Sequence, residues 1–91
     1  MKQDNNLIRE LLIMLNTLEE SMPIGASMAH FRPYYEDSDN SDGIKIDGYN
    51  SDQIDFHLRL LIEKRYIDAQ KAGIGIFFNY LTPAGHAFLE S

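Results

Sequence analysis

The sequence predicts a small α+β domain, and three observations lead to this class. The chain has 91 residues, which is enough for one hydrophobic core and therefore one domain over 1–91. Apolar residues recur at helical spacing near the N-terminus and again after residue 50. A glycine-bearing turn joins two β-rich runs near the C-terminus. The order of a long helix, a short strand, a capped helix, a hairpin and a short helix is typical of a winged helix-turn-helix with the hairpin as its wing.

The first helix is predicted from Asp4 to Met22, because its apolar residues form one stripe with a period of 3.6 residues. That stripe consists of Leu7, Ile8, Leu11, Leu12, Met14, Leu15, Leu18 and Met22. Asp4 is suited to cap the first turn, and Pro23 with Gly25 ends the helix.

The segment between the two main helices is less regular. Ile24–Phe31 is predicted as a short helix that ends before Pro33, since a residue that precedes proline avoids the α region. Residues 34–42 are polar and acidic and are interpreted as an exposed loop. Gly43–Gly48 alternates apolar and polar residues and predicts a short strand.

The second main helix, a recognition-type helix, is predicted over Ser51–Arg65. Asn50 and Gln53 have the spacing of a capping box, and Tyr49 with Ile54 occupies the positions of a hydrophobic staple. Its apolar face comprises Ile54, His57, Leu58, Leu61 and Ile62.

The rest of the chain predicts a hairpin and a short helix. Strands are predicted at Tyr66–Gln70 and Ile74–Leu81, with Lys71–Gly73 as the turn. Thr82 is a suitable N-cap for a final helix at Pro83–Glu90. The inner side of that helix is expected to carry Ala84, Ala87 and Phe88.

Composition excludes several classes of protein. Hydrophobic residues make up 44% of the chain and charged residues 24%, which is ordinary globular usage and argues against disorder. The sequence has neither an apolar run long enough to cross a bilayer nor a signal-peptide pattern, so we expect a cytoplasmic protein with no membrane partner. The absence of cysteine excludes disulfides, thiolate nucleophiles and cysteine zinc sites.

Four stretches of the chain carry a resemblance to a known family. The first consists of Met1, Lys2, Asp4 and Leu7–Arg9, the second and third are Ile46–Tyr49 and His57–Glu63, and the most specific is the Leu-Thr-x-x-Gly-His-x-Phe-Leu run of Leu81–Leu89. These stretches resemble a small, largely uncharacterised winged-helix-like family that is common in bacterial prophages. The resemblance implies the fold and a phage or prophage setting, and no established activity.

Two features depart from that family pattern. Residues 26–42 look like an acidic inserted loop, and Arg65 stands where the pattern suggests a glycine at the helix end. Glycine enters the left-handed region without strain and arginine does so at some cost, so the helix boundary at Arg65 is poorly defined.

Catalytic and metal chemistry find little support in the sequence. The serines lack the context of a nucleophile elbow, and Gly73-x-Gly75 has the features of a hairpin turn. His57 and His86 are interpreted as structural, hydrogen-bonded histidines that meet in or across the core. Asp37–Gly43 fails the register of a calcium loop. We therefore expect no enzyme, no cofactor, no metal and no small-molecule substrate.

Two binding functions are left open. The first is protein binding or self-association through Phe56 and Leu60, which lie four residues apart beside an acidic rim of Asp52, Asp55 and Glu63. The second is a DNA-binding transcriptional regulator that uses helix 51–65 and wing 66–81, with contacts from Arg59, Lys64, Arg65 and Lys71.

The charge distribution favours the protein partner. All of the net charge of −6 lies in residues 36–55, which hold seven acids against one base. The acids at the start of the recognition-type helix would repel phosphates, and Arg59 is the one base expected to point outward from its middle. We therefore favour a non-catalytic regulatory binding module of the phage or prophage type, which requires Asp52 and Asp55 to face solvent.

Overall fold

A computed structural model of the chain describes residues 2–21, 29–33, 43–73 and 75–90. Its elements in chain order are α1 (Asn5–Ser21), β1 (Ala29–Phe31), α2 (Ser51–Glu63), β2 (Ile67–Lys71), β3 (Ile76–Leu81) and α3 (Pro83–Glu90). The three strands form one antiparallel sheet in the order β1-β3-β2. The α+β class is confirmed, and the arrangement is compatible with a winged-helix-like class. The described residues contain no helix between β1 and α2, so the helix-turn-helix stays a prediction.

The predicted first helix and its cap are confirmed in α1. One carboxylate oxygen of Asp4 accepts the backbone N–H of Asn6 at 2.9 Å and that of Leu7 at 3.1 Å, which satisfies two donors that a helix start leaves unpaired. The buried stripe consists of Leu7, Ile8, Leu11, Leu12 and Leu15. These side chains form the core together with residues of α2 and the sheet.

Two predictions for the middle of the chain are wrong. Ala29–Phe31, predicted as helix, is a strand, because it pairs in antiparallel register with Ile76–Phe78 of β3. Gly43–Gly48, predicted as a strand, makes a single bridge from Ile44 to Pro33 and then turns, with Gly48 at a φ of +89°. A lone alternating segment without a partner strand gains no ladder of hydrogen bonds. The expected helix at 24–28 and the acidic loop at 36–42 lie outside the described residues.

The capping box of α2 is confirmed, and its end lies two residues earlier than predicted. The side chain of Asn50 accepts the backbone N–H of Gln53 while the Gln53 side chain accepts that of Asn50, both at 2.8 Å. At the other end, the N–H of Tyr66 donates to the carbonyl of Leu61, and Arg65 adopts a φ of +59°. This is a Schellman ending in which an arginine takes the left-handed position that glycine usually occupies.

The predicted hairpin is confirmed in β2 and β3, with a bulge that decides which aromatic side chains are exposed. Asp68 pairs with Tyr80 but Ala69 pairs with Phe78, which leaves Asn79 as the extra residue of β3. The alternation along β3 is therefore reset, so that Phe77 and Tyr80 face outward while Phe78 is buried.

The final helix is confirmed as α3, but its inner side differs from the prediction. Ala84 and Ala87 are exposed, whereas Gly85 is buried and Phe88 with Leu89 is half-buried. The backbone of Gly85 packs directly on the carbonyl of Tyr66, which turns this side of the helix inward.

Candidate functional site

A small hollow lies between α2 and β2, at the place where the sequence predicts a contact surface. It has a volume of about 160 Å³ and is lined by Phe56, Arg59, Leu60, Glu63 and Lys71. Typical small-molecule pockets hold roughly 300–1,000 Å³, so this one is nearer in size to a single large side chain. The structure thus brings together three residues of the predicted protein interface and two of the predicted DNA contacts.

The floor of the hollow is apolar. Phe56 and Leu60 are both half-buried, one turn apart on α2, and Leu60 also packs against the core. Each of the two side chains is therefore partly covered by the domain and partly open to the hollow. This is the strip that their spacing of four residues predicts.

Three hydrogen bonds join α2 to the hairpin turn beside the hollow, and an ion pair within α2 connects the two side chains that make them. Asp55 contacts Nε of Arg59 at 3.1 Å through one oxygen and accepts the backbone N–H of Gly75 at 3.3 Å through the other. The guanidinium of Arg59 also donates to the carbonyls of Ala72 at 3.4 Å and Gly73 at 3.2 Å. We call this group of residues the turn clamp.

The turn clamp corrects two sequence expectations. The Asp55 and Arg59 side chains are 24% and 33% exposed, and each has its charge directed at the other. Asp55 does not display its carboxylate to solvent, and Arg59 is not an outward base. The spacing of four residues indicates such a pair, but the carbonyls of the turn belong to a distant part of the chain.

The rim of the hollow carries both signs of charge rather than acids alone. The ammonium of Lys71 lies 3.5 Å from the carboxylate of Glu63, and their side chains are 47% and 63% exposed. Asp55 is paired to Arg59 in the same way. Two of the three acids of the predicted rim, Asp55 and Glu63, therefore have a base beside them, and Asp52 stays exposed.

The other three predicted contact residues lie away from the hollow. Asp52 is exposed in the first turn of α2, as predicted. Lys64 is the half-buried C-cap of that helix, and Arg65 follows it with an exposed side chain. Of the four bases of the predicted DNA contact, Arg59 and Lys71 line the hollow, whereas Lys64 and Arg65 do not.

His57 is a structural histidine, as predicted. Its side chain is 1% exposed, Nε2 accepts the backbone N–H of Asp4 at 2.8 Å, and Nδ1 lies 2.7 Å from the carbonyl of Gln53. Because a carbonyl only accepts and the Asp4 N–H only donates, the proton must be on Nδ1 and the ring is neutral. The sequence shows the buried face but not the contact with a residue so distant in the chain.

Asp4 is held in the same group of residues. Its second carboxylate oxygen accepts the hydroxyl of Tyr49 at 3.1 Å, and that hydroxyl accepts the side-chain amide of Asn6 at 3.1 Å. The backbone N–H of Leu7, with smaller contributions from Tyr49, Asn6 and His57, holds the pKa of Asp4 below its usual value of 3.8, although partial burial opposes this.

His86 does not meet His57 in the core, which corrects the prediction that the two come together. It is exposed on α3, with Nε2 4.0 Å from a carboxylate oxygen of Glu19. The same oxygen accepts the backbone N–H of Leu81 at 3.4 Å. Its role is a surface contact between α1 and the C-terminal part of the chain.

The most specific sequence run, Leu81–Leu89, is explained by packing. The hydroxyl of Thr82 donates to the carbonyl of Arg65 and accepts the backbone N–H of Gly85 at 3.2 Å. The ring of Phe88 lies 5.3 Å from the guanidinium of Arg9 and 5.3 Å from the ring of Tyr66. These contacts fix α3 in place.

A second, wider groove was not indicated by the sequence. It has a volume of about 450 Å³ and lies between α1 and the segment before α2, with a lining of Asn6, Glu10, Met14, Lys45, Ile46, Asp47 and Tyr49. Its lining mixes apolar side chains with both signs of charge. No single ligand chemistry follows from that mixture.

Neither a metal centre nor a membrane span is found in the part of the chain that the structure describes. Within it, no three side chains of the metal-ligating types come together. Its helices are also too short or too polar to cross a bilayer.

Comparison with known proteins identifies the family. The family model described as "Hypothetical protein (DUF2513)" matches residues 2–91. The chain belongs to the DUF2513 family. The match includes all of the hollow, the turn clamp and the C-terminal run. No curated protein and no solved structure matches the chain.

Proposed function

We propose that this DUF2513 protein is a non-catalytic binding module that recognises a polypeptide through the hollow between α2 and β2. The observation that carries the proposal is an apolar floor, Phe56 and Leu60, inside a rim whose charges are already paired within the chain. A regulatory role of the phage or prophage type, which the sequence resemblance implies, is part of the proposal.

The chemistry of the hollow favours an apolar anchor from the partner. Binding energy at protein interfaces concentrates in a few large side chains that fill small pockets, and charges at the rim mainly set specificity and association rate. A volume of about 160 Å³ fits one such side chain. Asp52 does not line the hollow, but it is exposed in the first turn of the same helix and offers a separate contact for a basic residue of the partner.

DNA binding is the competing proposal, and the paired charges weigh against it. A phosphate at the hollow would have to replace Asp55 as the partner of Arg59, or Glu63 as the partner of Lys71. Each replacement exchanges an existing ion pair for a new one and leaves a carboxylate beside the phosphates. An apolar side chain enters without breaking either pair.

The test is a selection of random displayed peptides against the purified protein, followed by titration of the recovered peptides in solution. We expect ligands with one large apolar residue, and we expect Phe56→Asp to raise their Kd by at least about tenfold, or roughly 1.4 kcal/mol. Ile13→Asp is the matched control, because Ile13 is an exposed apolar residue on α1, and it should leave the Kd within about twofold. Circular dichroism checks folding, and Leu60→Ser is the second variant if Phe56→Asp does not fold.

Three outcomes would replace the proposal. Peptides that bind Phe56→Asp as well as the wild type would place the contact elsewhere. Duplex DNA that binds at low salt, and is lost with Lys64→Ala and Arg65→Ala, would favour the transcriptional regulator. A concentration-dependent dimer in sedimentation that Phe56→Asp abolishes would make a second copy of the chain the occupant.

A further inference from the structure

We propose that His57 is a proton-sensitive latch that joins the start of α1 to α2 and to the floor of the hollow. The evidence is the position of the ring rather than a titration. It is buried, one nitrogen accepts the backbone N–H of Asp4, and its edge meets the ring of Phe56.

The latch depends on which nitrogen carries the proton. In the neutral ring, Nδ1–H donates to the carbonyl of Gln53 and the bare Nε2 accepts from Asp4. Protonation adds a hydrogen to Nε2, so that two donors would face each other at 2.8 Å. Because two donors cannot share one hydrogen bond, the direct contact between Nε2 and the Asp4 N–H has to open.

The groups that face the ring limit the ways in which the added proton can be accommodated. From the start of α1, the Asp4 carboxylate is the charged neighbour, and it attracts a protonated ring. One of its oxygens accepts the backbone N–H groups of Asn6 and Leu7, and the other accepts the hydroxyl of Tyr49. A carboxylate oxygen accepts up to two hydrogen bonds, so the oxygen that Tyr49 uses is the one with room for a protonated Nε2–H. On α2, the carbonyl of Gln53 is already held by Nδ1–H.

The ring contact with Phe56 carries the change to the hollow. The two ring centroids are 5.2 Å apart with an interplanar angle of 73°, an edge-to-face contact that depends on the position of both rings. Phe56 also lines the hollow. Movement of His57 therefore alters the apolar floor of the hollow. The effect on binding rests on the proposed function, but the existence of the latch does not depend on it.

The experiment measures the latch in the protein alone, by NMR with ¹⁵N-labelled histidine and backbone. We expect a scalar coupling across the hydrogen bond between the Asp4 amide nitrogen and Nε2 of His57 at pH 7.5, because only an N–H···N hydrogen bond transmits it. On acidification the coupling should disappear as the ring protonates, and the ring signals of Phe56 should shift with the same midpoint.

Two variants make the result specific. His57→Gln keeps a hydrogen-bond acceptor but does not titrate, so the shift of the Phe56 signals with pH should be lost. His86→Gln removes an exposed histidine and should leave both the coupling and the Phe56 shift unchanged. If His57→Gln does not fold, the wild-type measurement and His86→Gln are sufficient.

The proposal is overturned if the coupling is absent at pH 7.5, or if His57 takes up a proton while the Phe56 signals stay in place. Neither result depends on a partner, so a failure of the latch and a failure of the binding proposal are separate. With a selected peptide in hand, a Kd that changes with pH in the wild type and not in His57→Gln would join the two.

Discussion

The C-terminal run, Leu81–Leu89, and the hollow between α2 and β2 differ in how their side chains are used. In the run, Thr82 bonds to Arg65 and Gly85, while Phe88 packs between Arg9 and Tyr66. In the hollow, the charged groups have partners, but the apolar floor is only half covered.

This difference shows that a distinctive sequence motif and a candidate binding surface need not coincide. The run is the stretch on which the sequence resemblance depends most, and each of these side chains has a partner inside the domain. The hollow rests on two common apolar residues, Phe56 and Leu60, of which Leu60 lies in the less specific stretch His57–Glu63. A motif therefore marks tight packing here, and the candidate for binding is a surface whose apolar residues lack full cover.

The largest expected effect breaks the packed region. Gly85→Ala places a Cβ 2.1 Å from the carbonyl oxygen of Tyr66, a backbone atom that cannot move aside as a side chain would. We expect a loss of about 3 kcal/mol or more in the free energy of unfolding, at the upper end of overpacking substitutions. Urea denaturation followed by circular dichroism measures it.

Gly73→Ala is the matched control for that substitution. A Cβ on Gly73 meets nothing within 4 Å, so the unfolding free energy should change by less than about 0.5 kcal/mol. Equal losses in the two variants would show that the contact of Gly85 with Tyr66 does not hold α3.

The second largest effects are losses of stability when either of the two ion pairs near the hollow is removed. Arg59→Ala removes the pair with Asp55, two bonds to turn carbonyls and the packing of a half-buried stem. We expect a loss of about 1–2 kcal/mol in the unfolding free energy, since hydrogen bonds to charged groups contribute roughly that much. Lys71→Ala breaks a more exposed pair and should cost at most about 0.5 kcal/mol.

Salt distinguishes the two pairs further. Unfolding in 1 M sodium chloride should reduce the effect of Lys71→Ala toward zero and leave most of the effect of Arg59→Ala, because the turn carbonyls are neutral and the site is less open to ions. If the two variants lose the same stability and respond alike to salt, the turn clamp is not a distinct structural feature.

Local signals in the sequence were enough for the helices and the hairpin. The capping box at Asn50 and Gln53, the stripe of α1 and the Thr82 cap use contacts between near neighbours, so their spacing predicts them. Ala29–Phe31 is a strand only because β3, far along the chain, offers an edge. Gly43–Gly48 has the alternation of a strand, but among the described residues it pairs only through the bridge between Ile44 and Pro33.

In the candidate site, too, contacts between near neighbours in the sequence were predictable and contacts between distant residues were not. The strip of Phe56 and Leu60 follows from one helical turn, and the structure opens it to a hollow. The pairing of Glu63 with Lys71 and the contacts of Arg59 with Ala72 and Gly73 depend on how the hairpin folds back on α2. Charges counted along a sequence therefore indicated an acidic face where the folded chain has paired charges.

The smallest expected effect concerns Asp4. Like the side chains of the C-terminal run, its carboxylate has hydrogen-bond partners within the domain, but it lies nearer to solvent. Its pKa is lowered in the folded protein, mainly by the backbone N–H of Leu7. A lowered folded pKa means that the stabilisation is fully present above the usual value of 3.8 and is lost as the pH falls from there through the folded value.

Asp4→Asn keeps a good helix cap but has no carboxylate to protonate. The difference in urea midpoint between wild type and Asp4→Asn should therefore be larger at pH 7 than at pH 3. Asp52→Asn, at an exposed position of α2, should follow the wild type at both pH values. A difference between wild type and Asp4→Asn that stays constant with pH would mean that Asp4 contributes through its shape as a cap and not through its charge.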